Sequence, residues 1–199
     1  MRDAVLAFAR RNNFEEAHSL QDERLALQLF DEAARLGLHH MDDVPLDGEK
    51  ALTPREILSY AALLHDIGYL EGYEHHHKTT FRLITGERIE GLTKHDRMMV
   101  GLVARYHRGA IPDPEKHEAF GSLSPEEQRT VSRLGAMLRF ADGLDRSHTD
   151  AVHDIHLSIE GNRLTVALSP GTNDDEERLA GQKKAHWFEN QFRVRVELR

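Results

Sequence analysis

The sequence predicts a mainly α-helical protein: a helical bundle over residues 1–150, with a small α+β appendage of hairpin, helix and strand over residues 151–199 packed on it. Two observations carry this. At four places a capping residue precedes Glu or Asp by three positions, just ahead of apolar residues at helical spacing. After residue 150 the period changes from 3.6 to 2, and HLSIEGNRLTVALS alternates apolar and polar residues about a Gly-Asn pair.

The elements follow in order. Residues 3–11 form a short helix that pauses at Arg11-Asn12-Asn13. Asn13 with Glu16 has the form of a capping box and Gly37 that of a stop, which predicts a helix over residues 14–36. Residues 37–52, GLHHMDDVPLDGEKAL, lack periodicity and form a loop. Thr53-Pro54-Arg55-Glu56 opens a helix that ends near His65-Asp66. Another begins in the HHHK segment, with Phe81, Leu83 and Ile84 as its apolar face. Thr93 with Asp96 starts a helix running to Tyr106-His107-Arg108, and the Ile-Pro-Asp-Pro stretch after Gly109 is loop. Ser124-Pro125-Glu126-Glu127 opens a long helix with Leu134, Leu138, Ala141 and Asp142 on one side and Asp145 one turn beyond. Residues 174–192 form a helix whose Trp187, Phe188 and Phe192 make the appendage core, and FRVRVEL closes as a strand.

Composition limits the partners. With 26 Lys and Arg against 34 Asp and Glu, the net charge of −8 argues against a nucleic-acid groove. A small anionic substrate still fits, if a cation and a few basic residues make a local positive pocket. No apolar run is long enough to span a bilayer, and Met1-Arg2-Asp3 opens straight into a helical pattern without a leader, so no membrane partner is expected. The absence of cysteine excludes disulfides and thiolate metal sites and fits a reducing cytoplasm. A homodimer is compatible with all of this.

The fourteen histidines are the compositional oddity, and position decides which of them matter. His18 lies on the row of Leu25, Leu29 and Leu36, where it is either a hydrogen-bonded core residue or a ligand. His65 falls on the row of Ile57 and Ala61, Asp66 on that of Leu58 and Ala62, and His107 on that of Val100 and Val103. Asp142 shares the apolar side of its helix, with Asp145 as its rival. An imidazole or carboxylate is expensive to bury unpaired, and a divalent cation is the simplest common partner for all of them. His39, His40, His117, His153, His156 and His186 are expected to be solvated and His75 to lie at the surface or behind a ligand; His148 carries less weight than the inward histidines, support of Asp142 or Asp145 being its minority reading.

At this point the residues resemble a family. His18, His65-Asp66 and a distant Asp142 in the context FADGLDRSH are similar to the ligands of the HD-domain metal-dependent phosphohydrolases. More closely, AHSLQDERLALQLFD, AALLHDIGY, HHK, ARYHR and RFADGLDRSH resemble the C-terminal helical half of the exopolyphosphatase/guanosine pentaphosphatase family. In those proteins this half follows an actin-like phosphatase domain, which is missing here. The segment after HDIGY there often reads GHHKHS, where this chain has His75-His76-His77-Lys78-Thr79-Thr80.

The resemblance implies an HD-type bundle in which His18, His65, Asp66 and Asp142 hold a first metal. His77 or His76, with His107, would hold a second, and Asp66 would bridge. The implied cofactor is one or two divalent ions, Mn, Fe, Co, Ni or Zn, with Mg also admissible. Asp66 and Lys78 are the expected catalytic residues, and Lys78, Arg108 and Arg146 would neutralise substrate phosphate. The expected activity is hydrolysis of a small phosphate ester or anhydride, such as a nucleotide, by metal-activated water. The alternative is a non-catalytic nucleotide- or polyphosphate-binding module for regulation or dimerisation. A purely structural metal is the third reading.

Overall fold

The computed structural model describes residues 1–40, 52–72, 74–170 and 174–199; most of the expected loop over 37–52 therefore lies outside the described residues. The helices are α1 (Arg2–Arg11), α2 (Glu16–Arg35), α3 (Pro54–Leu64), α4 (His76–Gly86), α5 (Lys94–Arg105), α6 (Glu118–Gly121), α7 (Pro125–Leu144) and α8 (Asp175–Phe192), with a 3-10 turn at Ile67–Glu71. The strands are β1 (Val152–Glu160), β2 (Arg163–Pro170) and β3 (Arg195–Leu198). The fold is mainly α with a small C-terminal α+β part, as the periodicities predict.

Three of the four predicted helix starts are complete capping boxes. Thr53, Thr93 and Ser124 each accept from the amide three residues on, while Glu56, Asp96 and Glu127 reach back to the cap amide. The fourth is a correction. Asn13 has φ of 53° and its amide donates to Arg10 O, so it closes α1 rather than capping α2. Asparagine tolerates this left-handed conformation better than most residues. α2 then starts at Glu16, whose carboxylate pairs with Arg10 instead.

β1 and β2 form an antiparallel hairpin, with Glu160 opposite Arg163 across the Gly161-Asn162 turn. β3 returns after α8 to pair with β2 in parallel, giving the order β1-β2-β3. α8 packs along α7, and α2 lies against β1, so one hydrophobic core runs from Val5 in α1 to Val196 in β3.

The contact between α2 and β1 is polar at the strand edge. The Ile155 and Leu157 amides donate to Gln28 Oε1 (3.3 Å) and Glu32 Oε2 (2.8 Å). Gln21 Nε2 and Arg24 Nη2 donate to Val152 O, and Arg35 Nη2 donates to Leu157 O. Side chains of one helix thus replace the strand that would otherwise complete this edge.

His39 is a second correction. It is buried, not solvated, and its Nε2–H donates to Phe30 O at 2.8 Å. His40, His153, His156 and His186 are exposed. Among the described residues no helix is long and apolar enough to cross a membrane.

Candidate metal centre

α2 presents His18 and Asp22 one turn apart on its buried face. α3 stops at Leu64, so His65 and Asp66 sit at its exit, and the 3-10 turn carries the chain away. That turn needs Gly68: a Cβ there would lie 2.1 Å from His76 O and 2.7 Å from the Thr80 amide nitrogen. Thr80 Oγ1 accepts from the Gly68 amide (3.0 Å) and donates to His65 O (2.9 Å). The His-Asp pair and the start of α4 are thereby fixed to each other. His75 takes a left-handed conformation (φ 61°) before α4, and His76 follows as the buried histidine of the three. α5 delivers His107 just past its end, and α7 delivers Asp142 in its last turn.

These groups converge on Asp66. Its Oδ2 is 3.4 Å from His65 Nε2 and 3.9 Å from His18 Nε2. Its Oδ1 is 3.2 Å from His76 Nε2 and 3.4 Å from His107 Nε2. Asp22 Oδ2 is 3.4 Å from His65 Nε2 and 3.6 Å from His18 Nε2. Asp142 Oδ1 is 3.9 Å from His18 Nε2, while its Oδ2 accepts from Lys184 Nζ of α8.

The back sides of the rings are already committed. His18 Nδ1–H donates to Asp145 Oδ2 (2.7 Å), His65 Nδ1–H to Ala62 O (2.8 Å) and His107 Nδ1–H to Ala104 O (2.6 Å). Each bond fixes the tautomer that leaves Nε2 as a lone pair facing the centre. His148 stacks on His18 at 3.7 Å between centroids, and Tyr69 on His76 at 4.0 Å.

A direct test of fit lies in the atoms left over. His18 Nε2, His65 Nε2, both Asp22 carboxylate oxygens and Asp66 Oδ1 are buried without a hydrogen-bond partner. Such orphans are rare, and a whole cluster of them calls for a missing partner. Ligand atoms around an ion at about 2.0–2.2 Å stand roughly 3–4 Å from one another, as these do. Two donor groups result: His18, Asp22, His65 and Asp142, and His65, Asp66 and His107.

The buried charges of the cluster shift one another. Burial works against charge on His65, but the Asp66, Asp22 and Asp142 carboxylates outweigh it and hold the ring up to about 10. Burial drives the Asp22 carboxyl well above the ordinary range. Burial also pushes His107 down to about 3, keeping it neutral and available as a donor.

Of the expected site residues, His18, His65, Asp66, Asp142, His76 and His107 come together. His77 does not: its ring packs against Gly109, where a Cβ would sit 3.1 Å from its Nε2, and burial lowers it to about 4. Lys78 is exposed and does not line the cleft above the cluster. Arg108 and Arg146 do line it. Sequence reasoning passed over Asp22 and Lys184. Asp22 carried a signal, being one helical turn from His18 on the same face; Lys184 carried none.

The cleft has a volume of about 910 Å³ and opens over Asp66, His76, His107 and Asp142. Arg108, Arg139, Arg146, Lys183 and Lys184 make its walls basic in a chain of net charge −8. Tyr69, Ile111 and Leu179 add exposed apolar surface. Arg139 is engaged with Tyr106 O and Gly109 O and lies over Trp187.

A buried set of His and Asp donors under a basic cleft is therefore what these helices build. A family model described as Ppx/GppA phosphatase, domain III, matches residues 2–186, nearly the whole helical body and most of α8, and the chain belongs to that family.

Proposed function

We propose that this protein is a metal-dependent phosphohydrolase of the HD-domain type, acting on a small phosphate ester or anhydride such as a nucleotide. The observation that carries the reading is the position of Asp66. One carboxylate oxygen faces His18 and His65, and the other faces His76 and His107. A carboxylate so placed would serve as a shared ligand if two ions were held. His18, Asp22, His65 and Asp142 would hold the first, and His76 and His107 the second. The nitrogen and oxygen donors suit Mn, Fe, Co, Ni or Zn, and the carboxylates also admit Mg.

When bound, such ions lower the pKa of water toward neutrality and withdraw charge from a phosphoryl oxygen. The protein's own groups do the rest. Asp145 holds the His18 ring in register, and Ala62 and Ala104 carbonyls do the same for His65 and His107. Arg108 and Arg146 draw an anion toward the cluster from the cleft walls. Lys78, outside the cleft, has no place in this scheme.

A second reading rests on the family description, which names one domain of a larger phosphatase. On that reading the cleft binds a nucleotide or polyphosphate without turning it over. One experiment separates the two. Purified protein is assayed for bound metal and for phosphate or pyrophosphate release from a nucleotide and phosphoester panel with Mn, Co, Ni or Mg. Asp66→Ala is expected to lose bound ion and turnover together, with helical content by circular dichroism nearly intact. Stoichiometric metal without release from any compound on the panel would favour the binding module.

A further inference from the structure

The metal-centre reading leaves one contact unexplained: the ammonium of Lys184 on the carboxylate of Asp142. Lys184 comes from α8, outside the segments that supply the other donors, and its side chain is 29% exposed in the cleft wall. The contact is built rather than incidental. Gly143 follows Asp142 directly, and a Cβ on it would meet Gly181 Cα at 3.0 Å and Lys184 Cδ at 3.1 Å. A Cβ on Gly181 would lie 2.6 Å from Leu144 Cδ2. Two glycines therefore let α7 and α8 approach closely at the one level where Lys184 reaches Asp142.

Asp142 has a second oxygen, Oδ1, on the side of His18 Nε2. Its carboxylate is thus divided between the metal cluster and a lysine. A divalent cation drawing on Oδ1 weakens the hold of Oδ2 on the ammonium and repels that ammonium at close range. The lysine's flexible stem lets the charged end swing while its base stays on α8. The space it swings into is the cleft, which Arg108 and Arg146 also face.

Resting on the metal-centre reading, we propose that Lys184 is an exchangeable counter-ion: it neutralises Asp142 while the centre is metal-free and moves to a phosphoryl oxygen of the substrate once a cation is bound. It takes the phosphate-binding role that the family resemblance implied for Lys78. The ligand class is a phosphate group presented to the cluster from the α8 side.

Two titrations test this by calorimetry: Mn²⁺ alone into the metal-free protein, and inorganic phosphate into the Mn-loaded protein. Lys184→Met removes the competitor for Asp142, so Mn²⁺ binds about tenfold tighter, a charge-assisted hydrogen bond being worth roughly this factor at a partly exposed site. The same variant binds phosphate several-fold more weakly. Lys183→Met, which removes an equal charge from the same wall and has no carboxylate ion pair among the described residues, leaves Mn²⁺ affinity unchanged. Lys184→Gln, carried in parallel, gives the same directions if Lys184→Met folds poorly. Mn²⁺ affinity that is equal or weaker in both Lys184 variants, or phosphate affinity that does not move, overturns the exchange. A wild-type protein that takes up no Mn²⁺ overturns the metal centre itself and this inference with it.

Discussion

Asp142 and Asp145 lie three residues apart at the end of α7 and divide one job between them. Asp142 offers an oxygen to the cluster, whereas Asp145 sits behind His18 and accepts from its Nδ1 at 2.7 Å. The other Asp145 oxygen accepts from the Asp150 amide, which keeps the carboxylate from turning. Asp145→Asn leaves a side chain that can meet Nδ1 with its amide, favouring the wrong tautomer. Metal affinity is expected to fall about 10–100-fold, read by calorimetry with Mn²⁺, since such supporting partners commonly carry that much. Asp22 was hidden at this scale because it stands in the polar run Gln21-Asp22-Glu23-Arg24. Yet the row that placed His18 inward passes through residue 22 on its way to Leu25. Which of three successive histidines turns inward is different in kind. It depends on the residue at which α4 starts, and a shift of one residue rotates the face by about 100°.

Helices were legible where their starts were chemically marked. Thr53, Thr93 and Ser124 announced α3, α5 and α7 to the residue, because a cap is a local bargain between neighbours. Asn13 misled, since the same side chain that suits a cap also suits the left-handed exit of the preceding helix. The pairing of β2 with β3 through α8, and the glycine-mediated approach of α8 to α7, are tertiary and leave no periodic trace. Among the local elements the most demanding is the turn after Asp66. Gly68→Ala would drive a Cβ into backbone atoms of α4, not into a yielding side chain. The expected cost is about 1–3 kcal/mol of stability by urea denaturation, together with loss of bound metal, because His76 moves with α4 while His65 does not.

Across the whole molecule the helical body and the sheet are tied by the carboxylate of Glu32. The Arg35 guanidinium, the Leu157 amide and nearby His156 together outweigh partial burial and hold its carboxyl down to about 2. A depressed folded value means that the contribution is complete above the ordinary range near 4.5 and is lost as pH falls toward 2. Glu32→Gln is therefore expected to melt lower than wild type at neutral pH and to lose less on acidification from about pH 5 to about pH 3. Thermal melts of the two proteins at both values check the sign.

The polar side chains that α2 lays along β1 have one more consequence. A strand whose amides and carbonyls are left open invites another chain to add to it, and this is a common route to aggregation. Gln28, Glu32 and Arg35 occupy the place where such a guest strand would bind. The helix that brings His18 and Asp22 to the cluster thus also covers this edge of the sheet against strand addition.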